Sequence, residues 1–328
     1  MRQTATGAGR SDPGGMLAPR IACRAAAHCA GRDAIRDMAL WPRYDSCLGA
    51  CRLHRAPCRS RLDASPTDAA HAARWESYMG EQSAPARKPL KKLGIIGGVG
   101  PAATARLFTR IVELTDAAVD QDHIDITIFN RPQIPDRTAY ILGESDQSYI
   151  PAVRNAALEL EQLGCDVICM PCVTGHYRSD ETFGALTRAR AVHMPIETAK
   201  FLVEMGKRTV GVMATDGTGH AGVLQSALES QGLRAVLPEP EFQAKVMSII
   251  YDNVKAGRPA DMQAFYDVCA HLRSRGCDSV ILGCTELSVI SAPAVAHGML
   301  VVDAMEVLAM RVVEECGARV KESARVLG

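Results

Sequence analysis

Two stretches of the chain reach a cysteine at the same distance from the same tripeptide. Gly164-Cys165-Asp166 leads into an apolar run that reaches Cys172, six residues past the aspartate. Gly276-Cys277-Asp278 leads into another that reaches Cys284, again six residues on. Thr174 follows the first cysteine by two residues and Thr285 follows the second by one. A thiol has an ordinary pKa of roughly 8.5 and is readily tuned to take or give a proton near neutrality. Two cysteines on opposite faces of one carbon could invert it, since a thiolate removes the α-proton while the thiol opposite supplies another. A single base would have to move, or trade its proton with solvent. A helix N-terminus just after each cysteine is expected to lower its pKa, and Thr174, His176, Thr285 and Glu286 offer hydrogen bonds nearby.

Such residues need a scaffold that brings distant stretches face to face. From Lys91 onward, short apolar runs alternate with helical periodicity. Strands are expected at 93–97, 125–129, 166–170, 210–214 and 279–282, with Val301-Val302 as a further one. Helices are expected at 102–118, 149–163, 196–205, 222–230, 242–255, 262–274 and 305–315. This alternation implies parallel sheets, which bind ligands at the carboxyl ends of their strands. In each repeat a helix ends at a glycine, a buried strand follows, and the cysteine stands where the strand gives way. Each half also opens alike, with Gly94 and Gly100 in the first and Gly211 and Gly217 in the second. Helix–Gly–strand junctions recur in any α/β protein, but the shared Gly-Cys-Asp and the shared offset favour a true repeat. The expected fold is therefore α/β, with two similar parallel-sheet lobes related by internal pseudo-symmetry and the active site in the cleft between them. The lobes are read as 91–192 plus 303–317, and 193–300.

Composition narrows the class. Of 328 residues, 47% are hydrophobic, enough for one large core or two small ones. Lys+Arg and Asp+Glu are both 37, which gives no electrostatic reason to expect nucleic acid or an anionic membrane as partner. No apolar run is long enough to span a bilayer, so the chain reads as soluble. Of 12 cysteines, Cys23, Cys29, Cys47, Cys51 and Cys58 lie early; the rest lie beyond residue 160, in apolar runs such as Val167-Ile168-Cys169-Met170. That is the habit of reduced, buried thiols rather than of a secreted disulfide framework, so a reducing cytosol is expected. Residues 1–88 are rich in Arg, Ala, Pro, Ser and His and show no sustained period. They cannot offset their ordering entropy, and are read as a disordered leader, or as an extension ahead of a start near Met79. Asp33, Asp37, Asp45, Asp63 and Asp68, with the five early cysteines, argue against a transit peptide.

Four segments, spanning nearly all of residues 91–317, resemble the aspartate/glutamate racemase family, specifically its aspartate and broad-specificity branch. They are Gly97-Gly98-Val99-Gly100-Pro101, Asn130-Arg131-Pro132-Gln133-Ile134-Pro135-Asp136-Arg137-Thr138, Met170-Pro171-Cys172-Val173-Thr174 and Leu282-Gly283-Cys284-Thr285-Glu286-Leu287. The resemblance implies that Cys172 and Cys284 are the two acid/base residues. It also implies a small amino-acid substrate, no pyridoxal phosphate or other cofactor, no metal, and a homodimer. Carried over by motif, Arg137 would pair a substrate carboxylate, the bidentate task for which guanidinium is shaped, and Gln133 would hydrogen-bond the substrate. Gly98, Asn130, Val173, Thr174, Thr285 and Glu286 would complete the binding site. Lys255, in Tyr251-Asp-Asn-Val-Lys-Ala-Gly, matches a family lysine that approaches substrate, and Glu286 stands where the glutamate racemase branch has histidine. Val173 replaces the usual family asparagine, so a weaker preference for acidic substrates is expected.

Other chemistries fit less well. Gly98-Val-Gly100-Pro-Ala-Ala103 has the form of a dinucleotide fingerprint, but the second strand ends at Asn130-Arg131 rather than at an acid for a ribose. Cys165-x3-Cys169-x2-Cys172 has an iron–sulfur spacing, yet strand alternation is expected to send Cys165 and Cys169 one way and Cys172 the other. No G-x-S-x-G motif occurs. His123, His193, His220, His271 and His297 show no ligand spacing, and His176 either tunes Cys172 or caps local backbone. Outside catalysis, the same fold could serve as an amino-acid sensor or binding protein, against which both cysteines speak. A related isomerase or decarboxylase, of the kind that works with one site cysteine, is the third reading.

Overall fold

The computed structural model describes residues 89–322, all within the compact unit Ser83–Gly328; the reading of 1–88 falls outside them. The first sheet contains β1 (Leu93–Gly97), β2 (Ile126–Asn130), β3 (Val167–Cys169) and β4 (Arg190–Val192), all parallel, in the order β2-β1-β3-β4. The second contains β5 (Thr209–Met213), β6 (Arg234–Val236), β7 (Ser279–Leu282), β8 (Val295–Ala296) and β9 (Met299–Asp303), in the order β6-β5-β7-β9-β8. Exchanging β1, β2, β3 and β4 for β5, β6, β7 and β9 turns one order into the other, so the two halves share a topology. The second sheet is not wholly parallel, because β8 turns back antiparallel on β9.

The helices are α1 (Pro101–Leu114), α2 (Arg137–Ile141), α3 (Ile150–Gln162), α4 (Ser179–Phe183), α5 (Met194–Glu204), α6 (Asp216–Ala221), α7 (Val223–Ser230), α8 (Pro240–Ser248), α9 (Met262–Ser274) and α10 (Ala304–Glu315). β1 is buried on all five residues, which is why it reads as an unbroken apolar run. α1 opens on Pro101, whose missing N–H costs nothing at a first turn, and turns Leu107, Ile111 and Leu114 inward at helical spacing. α10 follows the second sheet but packs against α1 and α5, burying Val307, Leu308, Val312 and Val313.

The repeated Gly-Cys-Asp has a physical explanation in both halves. Gly164 and Gly276 end α3 and α9 at φ +81° and +85°, a left-handed conformation that glycine adopts without cost. The next amide closes a long bond back into the helix, Cys165 N–H to Leu160 O at 3.1 Å and Cys277 N–H to Leu272 O at 3.2 Å. Asp166 then accepts from the Lys92 amide at 2.9 Å, and Asp278 from the Arg208 amide at 2.8 Å. Each aspartate thus ties the start of its cysteine-bearing strand to the neighbouring strand.

Three expectations are corrected. The helix read at 242–255 divides into α8 and a π-helical stretch, Ile249–Val254. β4, β6 and the short helices α2, α4 and α6 escape pattern reading, since Arg-Ala-Val makes no apolar run and helices of five or six residues complete too little of their period. Cys165 and Cys169 do not face the same way: Cys165 packs with Leu160 and Ile168, whereas Cys169 joins the apolar cluster on the other side. Strand alternation starts only at Val167, so the parity does not extend back to Cys165.

Glu161, buried on α3, accepts from the amides of Ala189 (2.8 Å), Arg188 (2.7 Å) and Thr187 (2.9 Å), clasping the loop before β4. Those amides, Ala189 and Arg188 foremost, lower its pKa from 4.5 to about 2. A carboxylate depressed on folding contributes stability that is complete above about pH 4.5 and is lost as the pH falls toward 2. Glu161→Gln should therefore lower the melting temperature by several degrees at neutral pH and shrink that deficit toward pH 2. Thermal unfolding of both proteins across that range checks it, and equal melting temperatures at pH 7 would discard the clasp.

Candidate active site

The two repeats deliver their cysteines to one place. Cys172, three residues past β3, and Cys284, two past β7, line the same cavity of about 90 Å³. Arg137, Val173, Thr174, Lys255, Thr285 and Glu286 line it as well. β3 and β7 are interior strands of their sheets, so the site forms at carboxyl ends of parallel strands, where such sheets place ligands.

Cys172 is 9% exposed and Cys284 partly exposed toward the cavity. The expected helix N-termini are single 3₁₀ turns, Thr174–His176 and Leu287–Val289. Their effect does not prevail at the second cysteine. Its Sγ donates to Glu286 Oε2 at 2.8 Å, and burial together with the Glu286 carboxylate pushes the Cys284 thiol well up rather than down. Glu286 Oε2 also accepts from Thr285 Oγ1 at 3.3 Å, and Oε1 stands 3.7 Å from Lys255 Nζ.

Lys255 follows the π-helical stretch and holds its ammonium 4.3 Å from the Tyr251 ring centre. Burial works against its charge, but Glu286, Tyr251, Cys284 and Asp136 outweigh it and raise its pKa. Arg137 opens α2, whose N-cap Asp136 accepts from the Ala139 amide at 2.8 Å. Its Nη1 donates to Pro135 O at 3.1 Å and Ile134 O at 3.4 Å, while Nε is buried without a partner. Among the described residues, Arg137 has no ion pair. A guanidinium that is half-satisfied and unpaired beside a small cavity suits an incoming carboxylate.

Thr174 Oγ1 lies 2.7 Å from Thr218 Oγ1, which lies 3.2 Å from Thr215 Oγ1, so a hydroxyl chain links the first cysteine's loop to α6. Val173 is 3% exposed and packs its methyls into the apolar cluster while lining the cavity. His176 serves local backbone: its Nε2 stands 3.3 Å from Met170 O, and its ring packs against Phe183 and His193. Burial lowers its pKa to about 3, so it stays neutral at physiological pH.

Three expected binding residues do not line the cavity. Asn130 ends the edge strand β2 and is exposed, as is Gln133 in the following turn. Gly98 is buried against the Arg131 backbone. Pattern reading missed Thr215 and Tyr251, both in the cavity, and Thr218 beside Thr174. The first had a usable signal, since Thr215 precedes Asp216-Gly217-Thr218 as an N-cap and accepts from the Thr218 amide. A larger cavity of about 460 Å³ lies between α1, α10 and the 287–294 loop, but no cysteine lines it. Two thiols, two carboxylates (Asp136 and Glu286) and two cations around one small space can move protons at a carbon flanked by a carboxylate.

Comparison with known proteins agrees. Residues 96–312 match the family described as Asp/Glu/Hydantoin racemase. The broad specificity amino-acid racemase RacX of Bacillus subtilis (strain 168) is 26% identical over 203 residues, 60% of this chain and 86% of that protein. The solved Picrophilus torridus aspartate racemase is 30% identical with a TM-score of 0.60, over 72% of this chain and 99% of that one. An aspartate racemase homologue from Pyrococcus horikoshii OT3, 24% identical, shares the fold at a TM-score of 0.60, over 70% of this chain and 100% of that one. With two topologically matched α/β halves and a family match across most of the described residues, this chain belongs to the Asp/Glu/hydantoin racemase family and is a racemase enzyme.

Proposed function

We propose that this protein racemises a free amino acid without a cofactor, using Cys172 and Cys284 as opposed acid and base at the α-carbon. The observation that carries this reading is that the cysteines of the two repeats line one small cavity. One thiolate takes the α-proton, the electron pair stays on a carbanion conjugated with the carboxylate, and the thiol opposite returns a proton to the other face. Arg137 is then the partner of the α-carboxylate, while Lys255 and Thr174 steady the remaining polar groups. The named activities of RacX and of the Picrophilus enzyme support aspartate or a broader set of amino acids as substrate. Val173 sets methyl surface where an amide would offer a hydrogen bond worth roughly 1.5–3 kcal/mol to a charged group, which supports the broader set. All seven described cysteines from Cys165 onward are free, as a reducing cytosol requires, and the reading includes a homodimer.

The test is exchange of the α-proton in deuterated buffer, screened over the common amino acids in both enantiomers with protein to which no cofactor has been added. At least one amino acid should take up deuterium in both enantiomers and lose optical rotation, and alkylation of the thiols should stop it. Tight binding of an amino acid with no exchange would favour the binding-protein reading instead.

A further inference from the structure

The cavity is not symmetric in charge, although its cysteines occupy matching places in the fold. Cys284 alone has a carboxylate on its sulfur, at 2.8 Å from Glu286 Oε2. Glu286 is itself fixed from two sides, by the Thr285 hydroxyl at 3.3 Å and by Lys255 at 3.7 Å. A thiol donating to an ionised carboxylate is stabilised as the thiol, because losing the proton would leave two negative charges in contact.

We propose that Glu286 is a positioning residue that keeps the proton on Cys284 in the free enzyme, so that Cys172 acts first as base and Cys284 as acid. Resting on the two-cysteine reading above, this moves Glu286 from substrate contact to control of the second cysteine. The groups around it fit that role. Lys255 stands against the far oxygen of Glu286, and Tyr251 holds Lys255 in place through its ring. Asp136, Arg137 and Cys172 line the same cavity but have no hydrogen bond or ion pair to Glu286. Burial and the Glu286 charge both raise the Cys284 thiol, in agreement with the geometry. The balance in the first half-turnover is complete: the Cys172 thiolate gains the α-proton and the Cys284 thiol loses its own to carbon. The enzyme is left with a Cys172 thiol and a Cys284 thiolate, and proton exchange with solvent resets it.

The experiment measures alkylation of Cys284 in the full chain by iodoacetamide as a function of pH, located by peptide mapping. Only the thiolate reacts, so the rate follows its fraction. Glu286→Gln keeps the size of the side chain and removes the charge. It should speed Cys284 alkylation about tenfold or more at neutral pH, which corresponds to a shift of about one pKa unit. Glu286→Asp, with the charge kept, should stay close to wild type. The two enantiomers should differ in kcat in the wild type, with that difference narrowing in Glu286→Gln. An unchanged alkylation profile, or an equal fall in turnover of both enantiomers with no change in profile, would overturn the proposal and return Glu286 to substrate binding. If the profile shifts as expected while no amino acid exchanges its α-proton, the coupling stands and the racemase mechanism fails.

Discussion

Cys172→Ser and Cys284→Ser should each reduce racemisation by about 10²- to 10⁴-fold, the usual contribution of one positioned acid or base. A serine hydroxyl is a far weaker acid than a thiol, so at neutral pH it supplies neither the thiolate that removes the proton nor a ready donor to return it. The fold should hardly notice. Both side chains line the cavity at the margin of the apolar clusters, serine is nearly the size of cysteine, and each sits in a loop after its strand has ended. Each single variant should retain exchange of the α-proton of one enantiomer, and the two variants should retain opposite ones. Polarimetry for racemisation and deuterium uptake for half-reactions read the two effects separately. Wild-type racemisation by either variant would eliminate the two-base mechanism.

Gly98→Ala should have a large effect on stability, at a position the family resemblance assigns to substrate contact. Gly98 lies at φ +87°, where an L side chain costs roughly 1–2 kcal/mol. A Cβ there would also stand 2.3 Å from the Arg131 amide nitrogen and 2.4 Å from its carbonyl carbon, backbone that cannot rotate aside. Overpacking of this kind typically adds about 1–3 kcal/mol. The sum of about 2–5 kcal/mol corresponds to a melting temperature lower by roughly 5–20 °C for a unit of this size. Thermal unfolding followed by circular dichroism checks it. An unchanged midpoint would show that the β1–α1 turn adjusts freely, and would return Gly98 to the candidates for substrate contact.

These two predictions divide along a line that runs through the whole molecule. Everything legible in the sequence was local and repeated. The Gly-Cys-Asp junctions, the Cys offsets and the apolar runs of β1, β3, β5 and β7 each express a constraint met within a few residues: a left-handed helix end, a buried strand, a staple to the next strand. From them follow the α/β class, the two matched halves and the meeting of Cys172 with Cys284. β4 and β6 were not legible because each is only Arg-Ala-Val, which gives neither a period nor the unbroken apolar run that marks β3, and the antiparallel turn of β8 depends on pairing that only the finished sheet supplies.

What the tertiary structure alone decided is the state of each group inside the site. Residue types placed Thr285, Glu286 and Lys255 near the chemistry, but not the 2.8 Å contact that makes Glu286 a partner of Cys284, nor the π-helical stretch that sets Lys255 against Tyr251. The expected lowering of the Cys284 pKa by a helix N-terminus reversed, because burial and an adjacent carboxylate act more strongly than one 3₁₀ turn. Gly98 packs against the Arg131 backbone, away from the cavity lining, and Val173 faces both the apolar cluster and the cavity. The physical reason is the same in each case. Sequence spacing fixes which residues a strand or turn presents, whereas charge, solvation and close approach depend on how the folded backbone turns those side chains toward one another and toward the elements packed around them. That holds even where the partner is a near neighbour in the chain, as Glu286 is of Cys284.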